Sequence, residues 1–333
     1  MSSEQKSAVN VVLGAMTFGS PSHDQSRVGD LQDVQAIIQV FLQHGHSELD
    51  TSRVYCGGTS EEYLGNLKQW LDANGAVVHT KYYPMRPYGM TASPEDLRKY
   101  LNVSLKALHT DKLDLWYLHG PDRQTPFEET LKAINDMYQE GLFKRWGISN
   151  YMSWEVAEMV GICKKYGYVQ PAVYQGLYNA VHRAVEPELF PCLRKFGISF
   201  YAFNPLGGGF FTGRYTSADD QVEAGSRFDD KIHQGASYRK RYWNDPYFKA
   251  LQVLRPVLDK HGLNMSEVAL RWMTHHSLLK REHGDAILIG ASSLAHIESN
   301  LVDLEKGPLP EEVVAALDAA WMVAREGAAV YYH

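Results

Sequence analysis

The segment DAILIG, residues 285–290, is the last of eight short apolar runs in a chain of 333 residues, and that count decides the fold. Each run is nearly continuous in apolar character and rich in β-branched or aromatic residues, which is typical of parallel strands buried on both faces. The other seven runs, in chain order, are VVLGAMTF (11–18), HSELD (46–50), AVVHTK (76–81), LDLWYLH (113–119), RWGIS (145–149), PAVYQ (171–175) and ISFYAFN (198–204).

Amphipathic stretches separate these runs. In DLQDVQAIIQVFLQHG the apolar residues from Val34 to Leu42 share one helical face, and Gly45 provides a stop signal. Another stretch opens with Ser93 as a candidate N-cap and Pro94 in the first helical turn. Similar patterns occupy 126–140, 153–166, 186–196, 264–276 and 293–303.

Strands that alternate with helices predict an α/β fold, and eight of them predict a closed (β/α)8 TIM barrel with long βα loops at its C-terminal face. An open doubly wound sheet is the alternative, and periodicity does not separate the two. The count of eight favours closure. Because no linker interrupts the pattern, we expect one domain over residues 1–333.

Composition narrows the functional classes. A net charge of −6 argues against a nucleic-acid partner, and no apolar stretch reaches the roughly 18 residues of a membrane span. Three scattered cysteines and an N-terminus without a signal-peptide pattern predict a cytoplasmic protein. The histidines lack the spacing of a zinc site, so we expect no metal.

Six consecutive strand ends carry polar side chains, and in a barrel these ends meet around the site. They are Asp50, Lys81, His119, Ser149 with Asn150, Gln175 and Asn204. One polar strand end is ordinary solvation, whereas six in a row indicate a functional surface.

Tyr55, five residues after Asp50, adds a proton donor to this set. A tyrosine has an ordinary pKa of about 10, and a nearby lysine cation favours the phenolate. We therefore expect Lys81 to lower the pKa of Tyr55, with Asp50 holding the lysine and His119 binding a substrate oxygen. Such a group can protonate a developing alkoxide, but it contains no hydride source.

The motifs around these residues resemble the aldo-keto reductases, and most of all their aflatoxin-aldehyde reductase branch. The resemblance covers the chain from about residue 10 to its end. The matching segments are ELDTSRVY, HTK, LDLWYLHGPD, GISNY, PAVYQGLYN, FYAFNPLGGGFFTGRY and LIGASSLAHIESNL. It implies reduction of an aldehyde or ketone by hydride transfer from NADPH, with Tyr55 as general acid assisted by Asp50, Lys81 and His119.

The resemblance also implies an extended cofactor across the barrel mouth, which suits a chain without a G-x-G-x-x-G after its first strand. The nicotinamide would contact Asp50, Ser149, Asn150, Gln175 and Phe203. The pyrophosphate would lie along Asn204, Pro205, Leu206, Gly207, Gly208, Gly209, Thr212, Gly213 and Arg214. The adenosine end would reach Arg227, Gly290, Ala291, Ser292, Ser293, His296, Glu298 and Asn300.

Three further expectations concern partners. Arg214 and Arg227 favour NADPH over NADH, although His296 stands where the family often has arginine or glutamine near the ribose phosphate. The chain ends in VYYH, and His333 is a weaker partner for a substrate carboxylate than the arginine that the resemblance would lead one to expect there. We therefore expect Tyr82, Tyr83 and Trp243 to line a pocket for aryl aldehydes, dicarbonyls or a specialised ketone. We expect YRKRYW (238–243) to be a loop near the site mouth. The resemblance implies a homodimer. It also leaves a second function open, that of a slow or non-catalytic nucleotide-binding subunit like those of potassium channels.

Overall fold

Eight parallel strands close into a barrel in the order β1 to β8, and the computed structural model describes residues 6–333. The alternative of an open sheet is wrong, because β1 pairs with β8 over five residues from Asn10↔Ala286 to Gly14↔Gly290. The strands are β1 (Asn10–Gly14), β2 (Glu48–Asp50), β3 (Val77–Tyr82), β4 (Leu113–Leu118), β5 (Phe143–Ser149), β6 (Val173–Leu177), β7 (Ser199–Phe203) and β8 (Ala286–Gly290).

Twelve helices are assigned in the described part of the chain, and most of them surround the barrel. They are α1 (Leu31–Gln43), α2 (Thr59–Asn66), α3 (Lys68–Ala73), α4 (Pro94–Ala107), α5 (Phe127–Gln139), α6 (Ser153–Tyr166), α7 (Leu189–Phe196), α8 (His233–Tyr242), α9 (Asp245–His261), α10 (Met265–His275), α11 (Leu294–Glu305) and α12 (Glu311–Ala324). Across residues 6–333, none of these helices combines the length and apolar character that a membrane crossing needs.

The structure confirms the sequence signals that predicted α1 and α4. Ser93 caps α4 by accepting a hydrogen bond from the backbone N–H of Asp96, with Pro94 in the first turn. On α1, Val34, Ile37, Ile38 and Phe41 are buried. Apolar spacing therefore set both the extent of α1 and the face that it turns to the barrel.

Two local predictions are wrong. The first strand was expected to run to Phe18, but it ends at Gly14, and the Ala15 amide turns to donate to the Asp50 carbonyl at 2.8 Å. The segment YRKRYW, expected as a loop, forms the second half of α8, with Trp243 as its C-cap. The first strand was predicted too long because the apolar run continues past Gly14. The helix over YRKRYW was not predicted because its charged residues hide the apolar spacing of a helix.

The barrel interior is layered. Below the mouth lies an apolar layer that includes Val12, Leu115, Tyr117, Val173 and Leu288. Beneath it, at the N-terminal end of the strands, is a polar group that we name the lower cluster, formed by Glu48, His79, Asp114, Arg145 and Tyr201.

The seam between β7 and β8 is short. Its register joins Tyr201 to Ala286 and Ala202 to Ile287, whereas β8 continues beside β1 as far as Gly290. The two strands therefore part towards the C-terminal face of the barrel.

Candidate active site

Asp50 and Lys81 form a buried ion pair at the base of the barrel mouth. Lys81 Nζ donates to Asp50 Oδ2 at 2.5 Å and to the Thr51 carbonyl at 2.8 Å. Gln175 Nε2 donates to the other carboxylate oxygen at 2.9 Å. Asp50 and Lys81 are almost inaccessible to solvent, so each of these partners compensates a charge that burial would otherwise make costly.

Tyr55 returns to this pair through a tight loop. It opens a 3-10 turn, Tyr55–Gly58, in which Cys56 adopts φ 47° and Gly58 φ 97°. The Tyr55 hydroxyl lies 3.4 Å from Lys81 Nζ, and the same ammonium lies 4.8 Å from the centre of the phenol ring. The five-residue spacing thus brings the phenol over the lysine, as expected.

The direction of the Tyr55 pKa differs from the expectation. Burial of the phenol raises its pKa above the ordinary value of 10, and the Lys81 charge offsets this only in part. Burial also acts to lower the pKa of Lys81, but Asp50 and Tyr55 outweigh it and leave that pKa raised. The lysine remains a cation and the tyrosine holds its proton in the resting site.

His119 follows β4 and completes the group. Its Nδ1 lies 3.0 Å from Ser52 Oγ, and its ring meets that of Tyr55 edge-on at 5.7 Å. Burial, then the charges of Lys81 and His333, hold the pKa of His119 well below its usual 6.5. The imidazole is therefore neutral at physiological pH.

These four side chains stand at one end of a cavity of about 1020 Å³. Asp50, Tyr55 and His119 line it directly, while Lys81 lies beneath them. The predicted cofactor residues that line it are Asp50, Asn150, Gln175, Phe203, Asn204, Pro205, Leu206, Gly208, Gly209, Thr212, Arg214, Arg227, Gly290, Ala291, Ser292, His296 and Asn300.

Five predicted cofactor residues are not among those that line the cavity. Ser149 is buried and accepts a hydrogen bond from Asn150 Nδ2 at 3.1 Å, and Ser293 caps α11. Glu298 is exposed on α11, while Gly207 and Gly213 shape the turn around residues 207–212.

Comparison with known proteins identifies the family. The model of the aldo/keto reductase family matches residues 10–322. The chain belongs to the aldo/keto reductase family. Its relatives include an aldo-keto reductase of Pseudocercospora fijiensis, 46% identical over 89% of this chain and 100% of that protein. Aflatoxin B1 aldehyde reductase member 2 of Mus musculus is 45% identical over 95% of this chain and 85% of that protein. The aldo-keto reductase pigE of Monascus ruber is 44% identical over 98% of each chain.

These matches confirm the predicted family and its resemblance to the aflatoxin aldehyde reductases. The protein is an oxidoreductase that acts on carbonyl groups, and aldo/keto reductases work with a nicotinamide cofactor.

The cavity of this aldo/keto reductase has groups that suit a nicotinamide dinucleotide. Asn204 Nδ2 is buried and has no hydrogen-bond partner among residues 6–333, so it is a donor available to a ligand. Gly208 has φ 69°, and a Cβ there would lie 2.2 Å from the Tyr238 ring. Only a glycine fits that turn.

The charges around the cavity suit phosphate groups. Four arginines, Arg27, Arg214, Arg227 and Arg241, line it, against the carboxylates of Asp50 and Glu223. The N-terminus of α11, capped by Ser293, opens beside the lining residues Ser292 and His296. Guanidinium groups and a helix N-terminus both favour anionic oxygen.

Several lining residues were not predicted, and others were predicted wrongly. Arg27 lies between the predicted first strand and the helix that follows it, and it was given no role. Arg241 lies in a segment that was expected near the site mouth, but it was not assigned to the cofactor. Tyr82 does not line the cavity, since its hydroxyl bonds the Thr91 carbonyl and its ring stacks on Tyr100. Trp243 instead packs against aromatic rings that include Tyr215.

Proposed function

We propose that this protein reduces aldehydes or ketones to alcohols with NADPH, and that Tyr55 supplies the proton. The observation that carries the proposal is the Tyr55 hydroxyl 3.4 Å from Lys81 Nζ, itself bound to Asp50, at one end of a cavity lined by four arginines. When bound, the reduced nicotinamide supplies the hydride.

Each of the four side chains has a separate role in the proposed proton transfer. A carbonyl oxygen between His119 and Tyr55 would accept hydrogen bonds from both, which fixes its orientation. As negative charge develops on that oxygen, the Tyr55 proton moves to it. The Lys81 cation stabilises the phenolate left behind, and Asp50 keeps the cation in place. The raised pKa of Tyr55 ensures that the proton is present at the start.

Asn150, directly after β5, and Gln175, in β6, have side-chain oxygens available to accept hydrogen bonds from a carboxamide. Gln175 Nε2 donates to Asp50, and Asn150 Nδ2 donates to the His119 carbonyl at 2.8 Å and to Ser149 Oγ. The side-chain oxygens of Gln175 and Asn150 therefore suit the amide N–H groups of nicotinamide, and Phe203 offers a ring beside them.

The phosphates would lie along Asn204–Arg214 and at the start of α11. The preference for NADPH over NADH rests on Arg27, Arg214 and Arg227, because a 2′-phosphate adds charge that guanidinium groups recognise. We further propose that the protein is cytoplasmic, since its three cysteines are unpaired.

A turnover assay tests the proposal. Purified enzyme should consume NADPH steadily with 4-nitrobenzaldehyde or 9,10-phenanthrenequinone, and consume NADH much more slowly. Among substrates, we expect aryl aldehydes and dicarbonyls to exceed succinic semialdehyde, because the His333 imidazole in the cavity lining is a weaker carboxylate partner than a guanidinium. A substrate carboxylate held by Arg241, which lines the same cavity, would reverse this order. Tight NADPH binding without turnover on any carbonyl would contradict the proposal and favour the nucleotide-binding subunit.

A further inference from the structure

We propose that the Ser52 hydroxyl is a positioning group that fixes the tautomer of His119, so that Nε2–H faces the substrate carbonyl. The inference rests on the proposed role of His119 and deepens it. Ser52 belongs to the loop between Asp50 and Tyr55.

The geometry gives Ser52 one hydrogen and two possible acceptors. Its side chain is buried, with Oγ 3.0 Å from His119 Nδ1 and 3.3 Å from the Lys81 carbonyl oxygen. The hydroxyl has one O–H, so it donates to one of these atoms at a time. Which atom receives the hydrogen determines which nitrogen of His119 carries its own.

Two observations favour donation from the Ser52 hydroxyl to His119 Nδ1. The contact with Nδ1 is the shorter of the two, and the Lys81 carbonyl already accepts the Arg53 backbone N–H at 3.2 Å. The competing arrangement, in which Nδ1–H donates to Ser52 Oγ and the hydroxyl donates to the Lys81 carbonyl, would leave Nε2 without a hydrogen. Within residues 6–333, Nδ1 has no hydrogen-bond partner other than Ser52. A buried ring nitrogen that accepts from Ser52 must be unprotonated, so the neutral ring carries its hydrogen on Nε2.

The tautomer matters because a carbonyl oxygen only accepts hydrogen bonds. With Nε2 protonated, His119 is a second donor beside the Tyr55 hydroxyl. With Nδ1 protonated, Nε2 would present a lone pair to the carbonyl oxygen and repel it. Ser52 would then act through His119 on the orientation of the substrate, without touching it.

The direct test is nuclear magnetic resonance on protein labelled with ¹⁵N-histidine, assigned with a His119→Asn variant. In the wild-type enzyme near neutral pH we expect Nε2 of His119 to resonate as a protonated ring nitrogen and Nδ1 as an unprotonated acceptor. In Ser52→Ala both signals should move towards intermediate values, because the two tautomers exchange. A protonated Nδ1 in the wild type would overturn the inference, whatever the variants do.

Kinetics provide a second readout. Loss of one hydrogen bond that orients the ring should lower kcat/KM for carbonyl reduction roughly fivefold in Ser52→Ala, with the affinity for NADPH unchanged. Ser52→Thr keeps the hydroxyl and should restore the wild-type tautomer. An unchanged tautomer and rate in Ser52→Ala would overturn the inference.

Ser60→Ala is the matched control. Ser60 is equally buried and bonds the Ala15 carbonyl at 2.9 Å and Thr51 Oγ1 at 2.8 Å, away from His119. This variant should lose stability but keep the His119 tautomer. If it shifted the His119 signals as Ser52→Ala does, general loosening of the loop would explain both, and the inference would be wrong.

The two proposals fail separately. Absence of turnover with every carbonyl would rule out the proposed function, but the His119 signals of the same protein would still report the hydrogen bond to Ser52. An active reductase whose Nδ1 is protonated would end only the inference about Ser52.

Discussion

The upper and lower ends of the barrel interior hold the same kinds of side chain in different arrangements. The upper end has Asp50, Lys81, Tyr55 and His119, and the lower cluster has two carboxylates, one arginine, one tyrosine and one histidine. Each tyrosine hydroxyl contacts a cation, Tyr55 at 3.4 Å from Lys81 and Tyr201 at 3.5 Å from Arg145. The difference lies in the tyrosine O–H: Tyr201 donates it to Glu48 at 3.0 Å, whereas Tyr55 faces the cavity.

That difference explains why one end can carry out chemistry. In the lower cluster Arg145 lies 2.9 Å from Asp114 and 3.7 Å from Glu48. The His79 ring nitrogen 3.6 Å away, followed by Arg145 and Lys144, holds the pKa of Asp114 well below its usual value. The Arg145 guanidinium and the Tyr201 hydroxyl both serve carboxylates there. At the upper end one O–H remains available to a substrate, so the unmatched donor defines the site.

Exchanging each tyrosine for phenylalanine should give the largest contrast. Tyr55→Phe removes the proposed general acid and should reduce kcat by roughly 10²- to 10⁴-fold, while NADPH binding measured by fluorescence titration stays near normal. Tyr201→Phe should leave kcat unchanged and lower the free energy of unfolding by about 1 kcal/mol. If Tyr55→Phe kept near-normal turnover, the proton donor would be another group.

Removing each cation should give a smaller contrast. Lys81→Met leaves Asp50 buried without its counter-charge, so we expect about 3 kcal/mol loss of stability and a fall in kcat of roughly 10²-fold. Arg145→Met, at a side chain one-third exposed, should cost about 1 kcal/mol and spare activity. Urea unfolding measures the loss of stability and steady-state rates measure the loss of activity. Equal loss of activity in the two variants would show that Lys81 has no special role in the reaction.

The pH dependence should give the smallest effect. Reduction needs the protonated phenol, and burial raises the pKa of Tyr55 above 10. The rate of reduction should therefore stay level through neutral pH and fall only above about 10, whereas alcohol oxidation, which needs the phenolate, should rise with pH. A reduction rate that already falls between about pH 7 and 9 would show that Lys81 dominates over burial.

Much of the fold was readable because buried parallel strands and amphipathic helices leave different periods in the sequence. All eight strands and their alternation with helices are confirmed. Strand ends were less accurate: Gln175 lies inside β6, two residues before its end, and β1 stops at Gly14. Hydrogen-bond partners set strand ends, and the sequence does not show them.

The candidate site was readable in its membership but not in its energetics. Polar residues at successive strand ends predicted that Asp50, Lys81 and His119 would meet. The net pKa direction of Tyr55 depends on how far burial outweighs one cation, which no spacing reveals. Ser52 and Arg27 were missed for a related reason, since Ser52 contacts His119 and Arg27 donates to the Gly225 carbonyl, both distant in sequence.

The parting of β7 and β8 has a consequence for mutational tolerance. Above Ile287, β8 continues beside β1 alone, and Leu288, Ile289 and Gly290 line the cavity. Peptide groups on the β7 side of this edge are the same whichever side chain is attached, so a polar ligand running past them meets donors and acceptors that most substitutions leave intact. At Gly290, where an added Cβ would meet only Arg227 at 3.6 Å, side chains should be tolerated and proline, which deletes the N–H itself, should not. Leu288 and Ile289 are buried and should tolerate only apolar replacements of similar size.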